Sequence, residues 1–122
     1  MDLIVVNRGE TAQIWRNTTT GAGNWFNVRL AQPAPNRDAI GAWLEVKIGD
    51  KITTREIFVG AGHASGHLGW VHMGAGSAAT AEMRVIWPDG SPSGIIGPWE
   101  QLNTNANYVL EQGKPAKVWT VQ

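Results

Sequence analysis

The chain contains no cysteine. That removes disulfide cross-links, a thiol nucleophile and thiolate metal sites from consideration. It also has no surplus of either charge. Ten Lys and Arg balance ten Asp and Glu, for a formal net charge of zero and a pI near 6.8. A protein that grips nucleic acid neutralises phosphates with clustered basic residues, and a polybasic membrane anchor needs the same excess. We therefore expect neither a nucleic-acid partner nor membrane insertion. No apolar run approaches the roughly 18 residues of a membrane span. The opening residues, Met1-Asp2-Leu3-Ile4-Val5-Val6, carry an acidic second residue and a short apolar run, and so do not read as a secretory leader. A helical period sustained over about 11 residues is missing as well. The strongest helix candidate is the short stretch Ala78 to Arg84.

What is present points to strands. The chain has 122 residues, a length that suits one domain with one core. Fifteen Gly and six Pro are scattered without a period, punctuating short segments as they do in sandwiches and barrels. Seven of the ten aromatic residues are Trp, more than a small core readily buries, so some should reach the surface. Leu3–Val6 and Ala12–Arg16 read as short strands. Asn24–Leu30 alternates, with Phe26, Val28 and Leu30 on one face and Trp25, Asn27 and Arg29 on the other. Trp43–Ile48 repeats the pattern, with Leu44, Val46 and Ile48 inward and Trp43, Glu45 and Lys47 outward.

Gly49-Asp50 marks a hairpin into Ile52–Val59. A two-residue loop would set Arg55 opposite Leu44 on the apolar face. A three-residue loop, residues 49–51, would pair Glu45 with Arg55 and Ile48 with Ile52 instead, and we expect that register. Gly60–Gly69 reads as a loop. Val71–Met73, Met83–Trp87, Gly94–Gly97, Tyr108–Leu110 and Val118–Val121 complete the set. Pro88-Asp89-Gly90 makes a turn after a core Trp87. The expected fold is all-β: a single antiparallel β-sandwich-like or partly closed barrel domain, 1–122, of about nine short strands.

At Asn36-Arg37-Asp38-Ala39-Ile40-Gly41-Ala42 the sequence becomes more specific. Together with Asn24-Trp25-Phe26-Asn27-Val28-Arg29-Leu30 before it, this string resembles the ASPIC/UnbV domain family. The resemblance continues through Arg55-Glu56, Gly60-Ala61-Gly62-His63-Ala64-Ser65-Gly66, Val71-His72-Met73-Gly74-Ala75-Gly76 and Val85-Ile86-Trp87-Pro88-Asp89-Gly90, covering residues 24–121 in order. Where the family pattern has Tyr and Gln in the glycine-rich segment, this chain has His63 and Gly66. Residues 1–17 resemble the last strands of an FG-GAP/VCBS propeller repeat. The acidic calcium loop of such repeats lies upstream of Asp2 and cannot be completed here. The family resemblance implies an extracellular or periplasmic setting, a propeller neighbour and no established catalytic activity.

Candidate sites follow from residue types. His63 and His67 are four apart, the spacing of a helical zinc pair, but three glycines in residues 60–67 oppose a helix and no Glu completes a zinc-protease pattern. Ser65 lies between them without the strand–turn–helix elbow of a serine nucleophile. We expect His63, Ser65 and His67 to be loop residues, His72 to be a packed, hydrogen-bonded histidine, and no metal or cofactor to be required. Asp38, Glu45, Glu56, Asp89 and Glu100 could in principle supply paired carboxylates, yet no spacing selects a pair. Asn36, Arg37 and Asp38 could contact a sugar or partner. Alternatively, Asp38 caps a turn while Arg37 clamps a neighbouring loop. Trp25 and Trp43 fall on the polar faces of their strands and are the preferred contact residues. The function expected is a non-catalytic interaction module for a protein partner or adjacent propeller domain. The alternative is a carbohydrate-binding module using the same indoles, and an enzyme built on the Gly60–His72 loop is the weakest reading.

Overall fold

The computed structural model describes residues 2–62 and 65–120, which contain strands and no helix. His63, Ala64 and Val121 lie outside the described residues. The strands are β1 (Leu3–Val5), β2 (Gln13–Trp15), β3 (Asn24–Ala31), β4 (Trp43–Ile48), β5 (Lys51–Glu56), β6 (Gly60–Ala61), β7 (Ser65–Gly66), β8 (Val71–Gly76), β9 (Thr80–Trp87), β10 (Ile95–Ile96), β11 (Glu100–Asn103), β12 (Ala106–Glu111) and β13 (Lys117–Val118). Two sheets form a sandwich. One has five strands, in the order β10-β9-β4-β5, with β11 also on β9. The other has four, in the order β13-β12-β3-β8. Neither closes into a barrel, and two short hairpins, β1–β2 and β6–β7, stand beside them.

Alternation builds the core. Phe26, Val28 and Leu30 of β3, Met73 and Ala75 of β8, and Tyr108 and Leu110 of β12 face Leu44 and Val46 of β4 and Ala81, Met83, Val85 and Trp87 of β9. Each of these side chains is buried, while the residues between them point outward. Ile48, also expected inward, packs partly buried against the cluster. The helix candidate at Ala78–Arg84 is overturned: most of it lies in β9, paired along one edge with β4 and along the other with β10 and β11. Inward Ala81, Met83, Val85 and Trp87 have a period of two, and central-strand pairing overrides the helix propensity of Ala, Glu and Met. Pro98 lacks a backbone N–H and separates β10 from β11 along the edge of β9.

The expected register of the β4–β5 hairpin is corrected. Ile48 pairs with Lys51, Val46 with Thr53 and Leu44 with Arg55, so the loop is the two residues Gly49-Asp50. Gly49 takes a φ of +59°, as the first central residue of a tight hairpin often must. The charge opposite Leu44 is tolerated because β5 is an edge strand, and Arg55 lies exposed beyond the covered core. Gly41 and Gly90 occupy turns with positive φ, as expected from their neighbours.

The chain changes sheet between β11 and β12 across Thr104 and Asn105 alone. Tyr108, buried in the core, donates its hydroxyl to the Asn103 carbonyl at 3.0 Å. Thr104 donates its amide to Ala79 O and its hydroxyl to the carbonyls of Ala78 and Ala79. Asn105 adopts φ +61° and donates its amide to Trp25 O. Its side chain accepts from Trp25 N at 3.3 Å and donates to Asn24 Oδ1 at 2.9 Å. This arch sets β12 parallel to β3, with Asn107 beside Asn27 and Tyr108 beside Val28. Among the described strand pairs it is the one departure from the antiparallel expectation.

Two outcomes test this packing. Leu44→Ala should cost about 2–5 kcal/mol in denaturant unfolding, because Leu44 is fully buried between the sheets. Asn105→Ala should cost about 1–3 kcal/mol through two lost side-chain bonds and a left-handed alanine. Asn105→Gly keeps the backbone angle and should cost about 1 kcal/mol less.

Candidate functional site

The sandwich sorts the tryptophans by face. Trp87 is in the core. Trp15 lies on the β1–β2 hairpin. Trp43 stands outward on the five-stranded sheet, 43% exposed. Trp99 flanks the same face, with the Arg84 guanidinium 4.5 Å from its ring centre. Trp25 stands outward on the four-stranded sheet, half-buried. The two preferred contact residues are therefore both outward, as alternation implied, but on opposite faces of the molecule. No single surface contains both.

The two outer faces differ in chemistry. On the five-stranded sheet the charges are neutralised across strands: Glu45 pairs with Arg84, and Lys47 with Glu82 at 2.9 Å. The four-stranded sheet carries amides and rings instead. His72 of β8, Asn27 of β3 and Asn107 of β12 are adjacent in register. His72 Nδ1 lies 2.8 Å from Asn27 Oδ1, and Asn27 Nδ2 donates to Asn107 Oδ1 at 2.8 Å. Because Asn27 presents its oxygen to the imidazole, Nδ1 is the donor and Nε2 is left outside this bond. The Trp25 indole stacks beside His72, with ring centres 6.2 Å apart and planes 25° apart.

Two further indoles belong to this face. Trp70 precedes β8 and Trp119 follows β13, each continuing the outward parity of its strand. The Trp119 amide extends the ladder by donating to Asn107 O at 2.8 Å. β8 and β13 are opposite edges of the sheet, yet the two rings meet with centres 5.3 Å apart at 57°. Sequence reading missed Trp70, Trp119 and Asn107. The period-two run Asn103-Thr104-Asn105-Ala106-Asn107 was the available signal for a polar outer face. His72, expected to be packed and hydrogen-bonded, is hydrogen-bonded and stacked but exposed.

The Asn36–Asp38 loop divides into separate roles. Asn36 is the structural residue: its Oδ1 accepts from Ile40 N at 3.0 Å, and its Nδ2 donates to Ile40 O at 2.8 Å. These bonds hold the turn in which buried Ala39 takes φ +52°. Capping was expected of Asp38, but Asp38 instead faces Arg29 at 3.6 Å. Asn36 captures the turn because its amide offers both an acceptor and a donor to the same residue. Arg37, expected to clamp a neighbouring loop, makes no side-chain bond among the described residues. It lines a cleft of about 600 Å³ with Arg29, Gln32, Asp38 and Val109.

The remaining candidates are occupied by structural contacts. Ser65 Oγ donates to the Ala61 carbonyl within the β6–β7 hairpin. His67 donates its amide to Val59 O, and its Nε2 lies 3.1 Å from Trp70 O. The span expected to be an irregular loop thus contains a short strand pair. Among the described residues, no group of three or more His, Asp or Glu comes together in a way that could hold a metal ion. Among the carboxylates, Glu45 is paired with Arg84 and Glu100 accepts from Ala116 N at 2.8 Å. Asp89 is held below the ordinary aspartate range by the Ser91 hydroxyl and amide, opposite to what a general acid needs.

These loop roles make an exacting test. Asn36→Ala should lower stability by about 1–2 kcal/mol by freeing both bonds to Ile40. Arg37→Ala should change it by less than about 0.5 kcal/mol, since that side chain holds nothing in place. Thermal melts of the two variants distinguish these outcomes.

The family model described as ASPIC and UnbV matches residues 32–117, well over half of the chain. No curated protein and no solved structure matches it. The chain belongs to the ASPIC and UnbV family.

Proposed function

We propose that this member of the ASPIC and UnbV family is a non-catalytic interaction module, working outside the cytoplasm and contacting a protein partner or adjacent domain through its β1–β2 hairpin. The carrying observation is that both faces of this hairpin are apolar and both are exposed. Leu3 pairs with Trp15 and Ile4 with Ile14. The period of two puts these pairs on opposite faces. Leu3 and Trp15 are each 60% exposed, Ile4 66% and Ile14 77%. None of them joins the core cluster. The side-chain hydrogen bonds described for residues 2–19 stay within that segment, including Asn17 N to Asp2 Oδ1 at 2.9 Å.

An isolated two-stranded hairpin is at best marginally stable in water. A pair of strands apolar on both faces suits a sheet covered on both faces, such as the interior of a propeller, whose repeats residues 1–17 resemble. Burying four such side chains would give roughly 1.5–3 kcal/mol each before ordering costs. The resemblance and the exposed faces agree on a protein surface as the occupant. Of the described Gly60–His72 segment, Ser65 and His67 are bonded to backbone carbonyls and His72 to the Asn27 side chain, which favours the non-catalytic reading.

Site-specific photo-crosslinking in the native host tests the proposal. A photoreactive side chain at Ile14 should give one discrete protein adduct, within or between chains, while the same group at Thr54 on the edge strand β5 gives none. Ile4→Asp/Ile14→Asp should abolish the adduct formed from Leu3 while leaving the melting temperature of the sandwich unchanged. Diffuse or equal crosslinking from positions 14 and 54 overturns the assignment.

A further inference from the structure

We propose that the outer face of the four-stranded sheet binds an acidic glycan, with pyranose rings against Trp25, Trp70 and Trp119 and carboxylates at Arg29 and Arg37. Three of the seven tryptophans converge on this face, although Trp70 and Trp119 come from opposite edges of the sheet. Sugar rings present flat patches of C–H groups, which indole faces accept, and a rim of hydroxyls that must be hydrogen-bonded. The row His72–Asn27–Asn107 meets the second requirement. Its internal bonds orient each group and leave others unused. Among the described residues, both N–H groups of the Asn107 amide, one N–H of Asn27 and Nε2 of His72 have no protein partner. A donor and an acceptor placed side by side suit a pair of neighbouring hydroxyls.

Charge selects the class of glycan. Two residues along β3 from Asn27, Arg29 stands outward and forms one wall of the 600 Å³ cleft. Its contact with Asp38, at 3.6 Å between side chains 51% and 40% exposed, is a weak surface pair that leaves the guanidinium accessible. Arg37 lines the same cleft with no side-chain partner among the described residues. Lys117 of β13 stands across Val109 from Arg29, adding positive charge in the next row. Guanidinium groups match carboxylates with two parallel hydrogen bonds, which suits the carboxylate of a uronic acid. Gln32 also lines the cleft, and its Oε1 is buried without a partner, an acceptor that an entering hydroxyl would satisfy. The opposite face of the sandwich is a control within the same molecule: its central charges are already paired with one another. This site shares no residue with the β1–β2 hairpin, so either proposal can fail without the other.

The test is binding of defined uronic-acid oligosaccharides, followed by calorimetry and tryptophan fluorescence. The probes are oligogalacturonate, oligomannuronate and a hyaluronan fragment, alongside methyl-esterified oligogalacturonate and a hexaglutamate peptide. At least one acidic glycan should bind, weaken about tenfold or more on esterification, and quench or shift indole emission. Trp119→Ala and Asn107→Ala should each weaken it by about tenfold, the scale of one strong contact. Arg37→Gln, at an exposed position where folding is not at risk, should do the same for the acidic ligand and leave the esterified one unchanged. Trp43→Ala, on the other sheet, should have no effect, and melting temperatures establish that each variant is folded. Absence of binding across the acidic panel overturns the proposal. So does equal binding of acidic and esterified glycans, equal binding of hexaglutamate, or an equal loss in Trp43→Ala.

Discussion

The arch between β11 and β12 is the constraint on which the rest depends. In two residues the chain leaves the five-stranded sheet and joins the four-stranded one. A change of direction that abrupt exposes backbone groups, and Thr104, Asn105 and Tyr108 satisfy them with side-chain and main-chain bonds. Asn105 grips both Asn24 and the backbone of Trp25, so β12 can meet β3 in only one register. A slip of one residue would turn every inward side chain of β12 outward. It would also separate Asn107 from Asn27 and dissolve the polar row. The core and the candidate site therefore rest on the same handful of hydrogen bonds.

The two outer faces illustrate two ways of finishing a sheet surface. On the five-stranded side, opposite charges sit across strands and cancel, which contributes modestly to stability. Arg84 is engaged twice, through Nε by Glu45 and through its guanidinium face by the Trp99 ring. On the four-stranded side the amides are only half satisfied, and indole rings share the same face. Groups left with spare hydrogen-bonding capacity beside apolar rings are what recognition uses, whereas groups paired to completion are what stability uses.

The β1–β2 hairpin obeys a third logic. Its apolar residues lie on both faces, and the sandwich covers neither set. Nothing within the described fold explains why Leu3, Ile4, Ile14 and Trp15 should be apolar. The proposed partner surface would account for it, because the area they expose is of the kind that drives association. The family match begins at residue 32, downstream of this hairpin, so the segment that shows the family and the segment proposed to meet a partner are separate stretches of chain.

Alternation along β3 and β4 was legible from the residues alone, and with it the inward placement of Phe26, Val28, Leu30, Leu44 and Val46 and the outward placement of Trp25 and Trp43. The family was legible too, from the Asn36–Ala42 string and the motifs that follow it in order. Those are local properties: a period of two and a contiguous pattern need no partner strand to be read. Helix propensity misled at Ala78–Arg84 because pairing with β4, β10 and β11 outweighs a few tenths of a kcal/mol per residue. The β4–β5 register misled because edge-strand exposure, which makes Arg55 harmless, depends on what lies across the sandwich. The face that gathers Trp25, Trp70, Trp119, His72, Asn27 and Asn107 draws on four strands spread over most of the chain. Only tertiary structure could assemble it, because side-chain period says which way a residue points, and strand order alone decides what points the same way beside it.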